Sequence, residues 1–234
     1  MKQKLKLALV GAGERGQYCY APYAKMHGYE IEFVAVADPH KGRREKFVQD
    51  YHVPAEGVFE TAEQFFARPR MADAVLICTQ DSQHYAYACQ AIDLGYSILL
   101  EKPISPSVRE CLDLQRRAEE KGTQIMVCHV MRYTKFYRKL KELIDSGKFG
   151  APMVIKCTHR ADGVADDYTT AMAVTDTAIH EIDVLPWLVN DEWDEVQCIM
   201  PKTNSKVKNA LKDPQIMIMK TKGGIINMLE VNVN

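Results

Sequence analysis

Short apolar runs alternate with amphipathic stretches through the first half of the sequence. Five runs lack polar alternation, as strands buried on both faces do, and they lie at residues 5–10, 33–37, 74–78, 97–100 and 124–127. Helical patterns separate them, at about 16–27, 41–51, 61–67, 83–94 and 107–121. Because the intervening helices supply the cover that such strands need, this order predicts an α/β fold with a doubly wound parallel sheet.

The pattern changes near residue 128. A charged helix at about 134–146 is followed by strand-like runs at 153–159, 195–200, 215–221 and 225–232. One helix, at about 175–188, interrupts these runs, and Gly223-Gly224 predicts a tight hairpin between the last two. We therefore predict two domains, 1–128 and 129–234, the second an α+β domain with a mostly antiparallel, open sheet.

The sequence ends at or just after an apolar strand, with no closing helix. An uncovered strand presents unpaired backbone groups, which other chains can pair with. The ending therefore predicts a C-terminally shortened, incomplete second domain, or a sheet edge that needs a partner.

Charge and cysteine content exclude several classes of protein. Lys and Arg number 30 against 31 Asp and Glu, so no basic excess is available for nucleic acid or for an acidic membrane surface. No apolar run approaches the roughly 20 residues that span a bilayer. The seven cysteines are odd in number and form no CxxC, which predicts reduced thiols in an intracellular compartment rather than disulfides or structural zinc.

A G-x-G-x-x-G pattern, Gly11 to Gly16, lies between the first strand and the first helix, and Asp38 ends the next strand. Gly11 permits the tight turn, Gly13 lets backbone approach a pyrophosphate, and Gly16 lets the helix pack closely on the sheet. Free N–H groups at the helix start then face the phosphates. Asp38 would accept hydrogen bonds from the adenosine ribose and repel a 2′-phosphate, which favours NAD over NADP.

Two features near this pattern have alternative interpretations. Arg43 and Arg44 leave NADP open, although a solvated helix face is the simpler interpretation of the pair. The segment 79–84 follows the third strand, and its polar groups would line the nicotinamide half of the cofactor site. Asp81 or Ser82 as a plain helix N-cap is the alternative there.

Glu101-Lys102-Pro103 follows the fourth strand, at the carboxyl edge where open α/β sheets bind ligands. A lysine at this edge can hold a hydroxyl or carbonyl oxygen, and a surface ion pair is the alternative. Nothing in the residues themselves separates these two interpretations.

The helix of the second half carries acidic residues around a histidine. A spacing of i, i+4 places Asp176 and His180 on one face, with Asp183 one turn further. Histidine suits a general base for an alcohol proton, and a carboxylate one turn away would orient its ring. A structural histidine is the alternative, and because no HExxH occurs, no metal site is predicted.

These motifs resemble the glucose–fructose oxidoreductase, inositol dehydrogenase and MocA family of NAD(P)-dependent oxidoreductases. The resemblance spans essentially the whole chain and rests on the glycine pattern, on segments 79–84, 101–103 and 129–133, and on the 176–183 helix. The second half looks most like the inositol 2-dehydrogenase branch. Members usually continue past this length, with further strands and a terminal helix.

The resemblance implies a Rossmann domain followed by an α+β domain whose open sheet makes a homo-oligomer contact. It also implies that Lys102, Asp176 and His180 form the catalytic set, with Arg132 and His159 touching the substrate. Cofactor contacts are expected from Gly11, Gly13, Arg15, Gly16, Asp38, Thr79, Ser82, His84, Glu101 and Lys102. Substrate contacts are expected from Lys102, Arg132, His159, Asp176 and His180.

The function expected from these residues is hydride transfer between a secondary alcohol of a cyclic polyol or sugar and the nicotinamide of NAD, in the cytoplasm. His180 removes the hydroxyl proton, Asp176 steadies the imidazole, and Lys102 holds the reacting oxygen. One alternative is a non-catalytic dinucleotide-binding or regulatory protein, which the short second domain motivates. The other alternative is an NADP-linked sugar reductase.

Overall fold

The computed structural model of the chain describes residues 3–161, 163–202, 207 and 210–233. Its contacts divide the chain into two compact units, one ending at Cys128 and one beginning at His129. In the described part of the chain, no helix is both long and apolar enough to cross a bilayer.

The first unit is built on six parallel strands: β1 (Leu5–Val10), β2 (Ile31–Ala37), β3 (Val58–Phe59), β4 (Ala74–Ile77), β5 (Ser97–Leu100) and β6 (Ile125–Val127). Their order in the sheet is β3-β2-β1-β4-β5-β6, which confirms the doubly wound parallel sheet. Only β3 was not predicted, because two residues are too few to show a pattern. The strand order reverses between β1 and β4, and open α/β sheets bind ligands outside the carboxyl ends of the strands at such a point.

Helices cover both faces of this sheet: α1 (Pro22–Met26), α2 (Lys41–Tyr51), α3 (Ala62–Phe66), α4 (Asp81–Asp93) and α5 (Val108–Lys121). Successive side chains of β1 point to opposite faces, as the period of a strand requires. Ala8 and Val10 therefore enter one apolar cluster, and Leu7 and Leu9 enter another together with Phe47 of α2.

The predicted helix at 16–27 is in fact two helical segments. Residues Glu14–Tyr20 wind more widely than an α-helix, and the Ala21 N–H donates to the Gly16 carbonyl, five residues back. The α-helix α1 begins only at Pro22, which suits a first turn because proline has no N–H to leave unpaired. Apolar periodicity does not report a single wide turn, because such a turn differs from an α-helix by only one residue.

The second unit contains α6 (Lys135–Asp145), α7 (Ile179–Val189) and four strands: β7 (Val154–Arg160), β8 (Trp193–Ile199), β9 (Gln215–Thr221) and β10 (Ile226–Asn232). The strand order is β7-β10-β9-β8, with β8, β9 and β10 antiparallel and β7 parallel to β10. The predicted α+β fold with a mostly antiparallel sheet is confirmed. The hairpin at Gly223-Gly224 also forms, and the Thr221 N–H donates to the Ile225 carbonyl at 3.0 Å.

One face of the second sheet forms the core of its unit. Met217 and Met219 of β9 and Leu229 of β10 are buried in one apolar cluster with Leu185 and Leu188 of α7. The alternate residues of these strands, such as Ile216, Ile218 and Met228, remain partly exposed on the other face. Buried and partly exposed residues alternate along β9 and β10, as expected for a sheet that packs against a core on one face only.

Pro186 lies inside α7 and removes the N–H that would donate to the carbonyl of Ile182. The indole N–H of Trp193, at the start of β8, donates to that carbonyl at 2.9 Å. The Ile182 carbonyl therefore keeps a hydrogen-bond partner, and the same bond links α7 to β8.

Candidate active site

The glycine loop after β1 is shaped by sterics. Gly11 has φ +94, and a Cβ there would clash with the Cys78 carbonyl, which follows β4. A Cβ on Gly16 would clash with the Gly11 carbonyl and with Leu9. Packing alone therefore requires glycine at both positions.

Gly13 differs from the other two glycines of the loop. The nearest atom to a Cβ placed on it would be Arg43 Nη1, at 3.9 Å, which is ordinary van der Waals contact. Among the described residues, no neighbour therefore requires glycine at residue 13. Open space over a backbone that begins a helix fits the close approach of a pyrophosphate.

Asp38, directly after β2, is 4% exposed and holds the glycine loop. One carboxylate oxygen accepts from the Ala12 N–H and the other accepts from the His40 N–H, both at 2.7 Å. A carboxylate has about four acceptor positions, so two remain for hydroxyl donors such as those of a ribose. The carboxylate is thus fixed at the place where a dinucleotide's ribose is expected.

The interpretation of Arg43 and Arg44 as one solvated helix face is wrong for Arg44. Arg43 is exposed, but Arg44 is buried, with its guanidinium donating to the Asp38 carbonyl at 2.6 Å and pairing with Glu60 at 3.3 Å. Because the helix turns Arg44 toward the end of β2, this side chain supports the Asp38 backbone. A run of charged residues in a sequence does not show which of them faces the protein interior.

The segment after β4 is capped differently from either prediction. The N-cap of α4 is Gln80, whose N–H donates to the Gln83 side chain at 3.3 Å, so neither Asp81 nor Ser82 caps the helix. Ser82 is exposed on the first turn of α4. The Thr79 hydroxyl is buried and has no hydrogen-bond partner among the described residues, which leaves it able to bond a polar group of a cofactor.

His84 was expected to contact the cofactor, and its position favours a different role. The side chain has no exposed surface. Its Nδ1 lies 2.7 Å from the Pro103 carbonyl oxygen, and its Nε2 lies 3.2 Å from the Thr79 carbonyl oxygen. A ring with both nitrogens against backbone oxygens joins the loop after β4 to the loop after β5 and offers no atom to a ligand.

Glu101 is 6% exposed and organises the turn after β5. One oxygen accepts from the Tyr20 hydroxyl at 2.5 Å, and the other accepts from the Lys102 N–H at 3.0 Å. Burial and hydrogen bonds to Cys128 and Glu101 raise the pKa of Tyr20 far above its ordinary value, so the phenol stays a donor. Lys102 itself is half-buried, its peptide bond to Pro103 is cis, and Arg15 lies exposed in the helical turn after the glycine loop.

In the second unit, Asp176 and His180 lie on either side of a change in winding. Residues Ala173–Ala178 form a wide helical turn, and α7 begins at Ile179. The i, i+4 argument for a shared face of Asp176 and His180 assumes α-helical winding throughout, so it does not apply to this pair. It is α7 that holds His180 and Asp183, three residues apart, one turn from each other. Both Asp176 and His180 are half-buried, and the Nδ1 of His180 is inaccessible to solvent.

Arg132, predicted to touch the substrate, is held by Asp183. The guanidinium donates twice to the Asp183 carboxylate, at 2.7 and 2.5 Å, and His129 Nδ1 lies 3.8 Å from the same group. A bidentate pair fixes the plane of the guanidinium, and three of its five N–H donors remain for other partners. Asp183 is therefore a support for Arg132, a role that its sequence position did not predict.

Glu181 is a site residue that was not predicted from the sequence. This carboxylate is 3% exposed, and both of its oxygens lie 3.0 Å from Nδ1 of His159. Because a carboxylate accepts only, the proton of the imidazole lies on Nδ1 and Nε2 is the atom left to meet a ligand. A signal was present, since Glu181 falls in the apolar stripe of α7 with Val184, Leu185 and Leu188, where a lone carboxylate indicates a buried, paired group.

No group of three or more His, Cys, Asp or Glu side chains suited to a metal ion is found in the described ranges. The strand order, the glycine loop and the carboxylate after β2 define a dinucleotide-binding protein of the Rossmann class. Residues 5–129 match the model described as "Oxidoreductase family, NAD-binding Rossmann fold", and residues 137–234 match the GFO/IDH/MocA C-terminal domain. The chain belongs to the Gfo/Idh/MocA family, and it is an NAD-dependent oxidoreductase.

Its relatives include inositol 2-dehydrogenases. The chain is 36% identical to that of Pseudomonas savastanoi pv. phaseolicola over 232 residues, which is 98% of this chain and 68% of the relative. It is 35% identical to that of Klebsiella pneumoniae (strain 342), again covering 98% and 68%. The structure of myo-inositol dehydrogenase from Lactobacillus casei, in complex with NAD(H) and myo-inositol, is similar with TM-score 0.86 and 31% identity, covering 99% of this chain and 68% of that one.

Proposed function

We propose that this oxidoreductase acts on a secondary alcohol of a cyclic polyol of the inositol type. The observation that carries the proposal is the fixed turn Glu101-Lys102-Pro103, which places a lysine at the same carboxyl edge of the sheet as the glycine loop. An ammonium at that edge suits an alcohol or carbonyl oxygen undergoing oxidation or reduction. The inositol 2-dehydrogenases named above, similar over 98% of the chain, support the polyol class.

Each proposed role follows from the chemistry of one side chain. NAD, when bound, accepts the hydride from the alcohol carbon, which becomes a carbonyl carbon. Lys102 donates a hydrogen bond to the reacting oxygen, and His180 takes the hydroxyl proton as general base. Asp176 steadies the imidazole of His180, a role that the family resemblance implies for a pair that lies on either side of the change in winding.

Two further side chains would recognise hydroxyls that do not react. His159 presents Nε2 because Glu181 holds Nδ1, and Arg132 presents its remaining N–H donors because Asp183 fixes its plane. A hydroxyl both donates and accepts, so an imidazole and a guanidinium suit a ring with several of them. These contacts would select a polyol rather than a simple alcohol.

Two substitutions test the catalytic roles. Lys102→Ala and His180→Ala are each expected to lower turnover about 100-fold or more, since each removes a group that acts on the oxygen or its proton. The NAD dissociation constant, measured by calorimetry, should stay within about twofold. Lys121→Ala, at the exposed end of α5, is the matched control and should turn over as wild type. Unaltered turnover in both site variants would refute the assignment.

A panel of cyclic polyols and sugars with NAD separates the enzyme from the non-catalytic alternative. The expected result is growth of NADH absorbance with at least one polyol. Binding of NAD without turnover of any panel member would favour a dinucleotide-binding or regulatory protein. Tighter binding of NADP than of NAD by the wild type would instead favour the NADP-linked reductase. For an NAD-linked enzyme, Asp38→Ala is expected to weaken NAD binding and to reduce the discrimination against NADP, because the variant lacks the charge that repels a 2′-phosphate.

We also propose a homo-oligomer that pairs through the partly exposed face of the second sheet, and a cytoplasmic location. Ile216, Ile218 and Met228 supply apolar surface on that face, and all seven cysteines are free thiols, as in a reducing compartment. Sedimentation of wild type against Ile218→Asp tests the assembly. A monomeric wild type would contradict it, and cell fractionation tests the location.

A further inference from the structure

A buried polar cluster joins three of the segments that follow strands in the first unit. The Tyr20 hydroxyl donates to Glu101 at 2.5 Å, and Glu101 follows β5. Burial, the neighbouring thiol of Cys128 and Glu101 together raise the pKa of this phenol, and Cys128 follows β6. Tyr20 itself ends the wide helical turn Glu14–Tyr20, which begins within the glycine loop that follows β1. One phenol therefore links all three segments.

The other half of this cluster is the backbone of Lys102. Glu101 accepts the Lys102 N–H at 3.0 Å with the oxygen that does not meet Tyr20. On the far side of the turn, the His84 ring lies 2.7 Å from the Pro103 carbonyl oxygen. Lys102 thus stands between two hydrogen-bonded supports, Glu101, which Tyr20 holds, on one side and His84 of α4 on the other.

A buried carboxylate is costly unless donors satisfy it, and Glu101 is 6% exposed. Charge-assisted bonds to such a group are short and strong, which is the geometry of the Tyr20 contact. Without the phenol, the carboxylate would gain freedom to rotate, and its hold on the Lys102 N–H would weaken. The phenol binds Oε1 of Glu101, and Oε2 of the same carboxylate binds the Lys102 N–H, so a change at Tyr20 reaches the Lys102 backbone through Glu101.

We propose that Tyr20 is a positioning residue, whose hydroxyl fixes the Glu101 carboxylate and through it the backbone of Lys102. The inference rests on the proposed role of Lys102 in the reaction. The helical turn Glu14–Tyr20 would then have a second function besides holding NAD. Its last residue, Tyr20, would position the lysine whose ammonium meets the substrate.

Tyr20→Phe removes the hydroxyl and little else, and Tyr18→Phe is the matched control. Tyr18 lies in the same helical turn but is 55% exposed. Tyr20→Phe is expected to lower kcat about tenfold, with the polyol KM and the NAD dissociation constant within about twofold of wild type. Tyr18→Phe is expected to match wild type. A kcat of Tyr20→Phe within twofold of wild type would overturn the proposal.

A double-mutant cycle with Glu101→Gln tests whether Tyr20 acts through Glu101. The cost of Tyr20→Phe in kcat should largely disappear in the Glu101→Gln background, because the phenol then has no carboxylate to hold. A full tenfold loss in that background would overturn the transmission through Glu101.

Amide hydrogen exchange of the peptide that contains Lys102 gives a readout that needs no turnover. Exchange of the Lys102 amide is expected to be about tenfold faster in Tyr20→Phe than in wild type and in Tyr18→Phe. Equal exchange in all three would overturn the positioning role. If wild type turned over no polyol, the proposed function would fail, and this measurement would still decide the inference.

Discussion

The two units hold their candidate residues in different ways. In the first unit, side chains mostly bind peptide groups: Asp38 accepts from the Ala12 backbone, Glu101 accepts from the Lys102 backbone as well as from Tyr20, and His84 meets two carbonyls. In the second unit, side chains bind one another, as Arg132 binds Asp183. A backbone partner is present whatever the residue, whereas a side-chain pair needs two particular residues far apart in the sequence.

The glycine loop offers the largest expected effect within the first unit. Gly16→Ala should lower the free energy of unfolding by about 3 kcal/mol, because its Cβ would clash with the Gly11 carbonyl and with Leu9 in a packed interior. Gly13→Ala should leave stability close to wild type and raise the NAD dissociation constant roughly tenfold, because its methyl group enters the open space left for a pyrophosphate. Urea denaturation and calorimetry measure the two effects.

Equal losses of stability in the two alanine variants would contradict the assignment of a packing role to Gly16 and a cofactor-binding role to Gly13. Unchanged NAD affinity in Gly13→Ala would contradict the placement of the pyrophosphate.

The side-chain pair of the second unit comes next. Asp183→Asn leaves the Arg132 guanidinium with a neutral partner, and the free energy of unfolding should fall by about 2 kcal/mol. Asp113→Asn is the comparison in the first unit, because Asp113 also binds arginines but on its own exposed helix, Arg116 and Arg117, one turn away. Its loss should be clearly smaller in the same urea experiment. A larger loss for Asp113→Asn would break the comparison.

Glu181→Gln tests whether the buried carboxylate orients His159. The polyol KM should rise about tenfold while NAD affinity stays constant, because an amide holds the Nδ1 proton less firmly than a carboxylate. Glu192→Gln, an exposed partner of Lys222 in the same unit, is the control and should leave KM unchanged. An unchanged KM in Glu181→Gln would argue that His159 does not meet the substrate.

The smallest expected effect is the change in thermal stability that Asp113 causes on acidification. Hydrogen bonds from Arg116, Arg117 and Tyr85 hold the pKa of Asp113 well below its ordinary value. A group whose pKa is lowered on folding stabilises the fold above its unfolded pKa, about 3.9, and loses that contribution as the pH falls through the folded value. The difference in Tm between wild type and Asp113→Asn should therefore be constant from pH 8 to pH 5 and shrink below about pH 4. A difference that grew on acidification would contradict the assignment.

Local features of the sequence predicted the first unit well. The strand runs, the order of β and α elements, and the glycines and Asp38 follow from spacing and from backbone sterics, which neighbouring residues decide. The same reasoning predicted the fold class of the second unit, because alternation along β9 and β10 is equally local.

Long-range partners were not predictable in this way. Tyr20 and Glu101 are 81 residues apart, and Arg132 and Asp183 are 51 apart, so no periodic pattern relates them. The burial of Arg44 depends on which way its helix faces the end of β2, which packing decides. Of these residues, Glu181 alone could have been recognised from the sequence, because it is a carboxylate within the apolar face of a helix.

Two wide helical turns, Glu14–Tyr20 and Ala173–Ala178, precede or contain residues of the candidate site. Each turn holds one residue more than an α-helical turn would, so the number of residues in it determines the direction of the side chains that follow. Loss of one residue from either segment would let ordinary α winding resume and carry every later side chain of that helix about 100° around its axis. A single-codon deletion in either segment would therefore rotate Tyr20 or His180 away from its present direction, even if every remaining residue were unchanged.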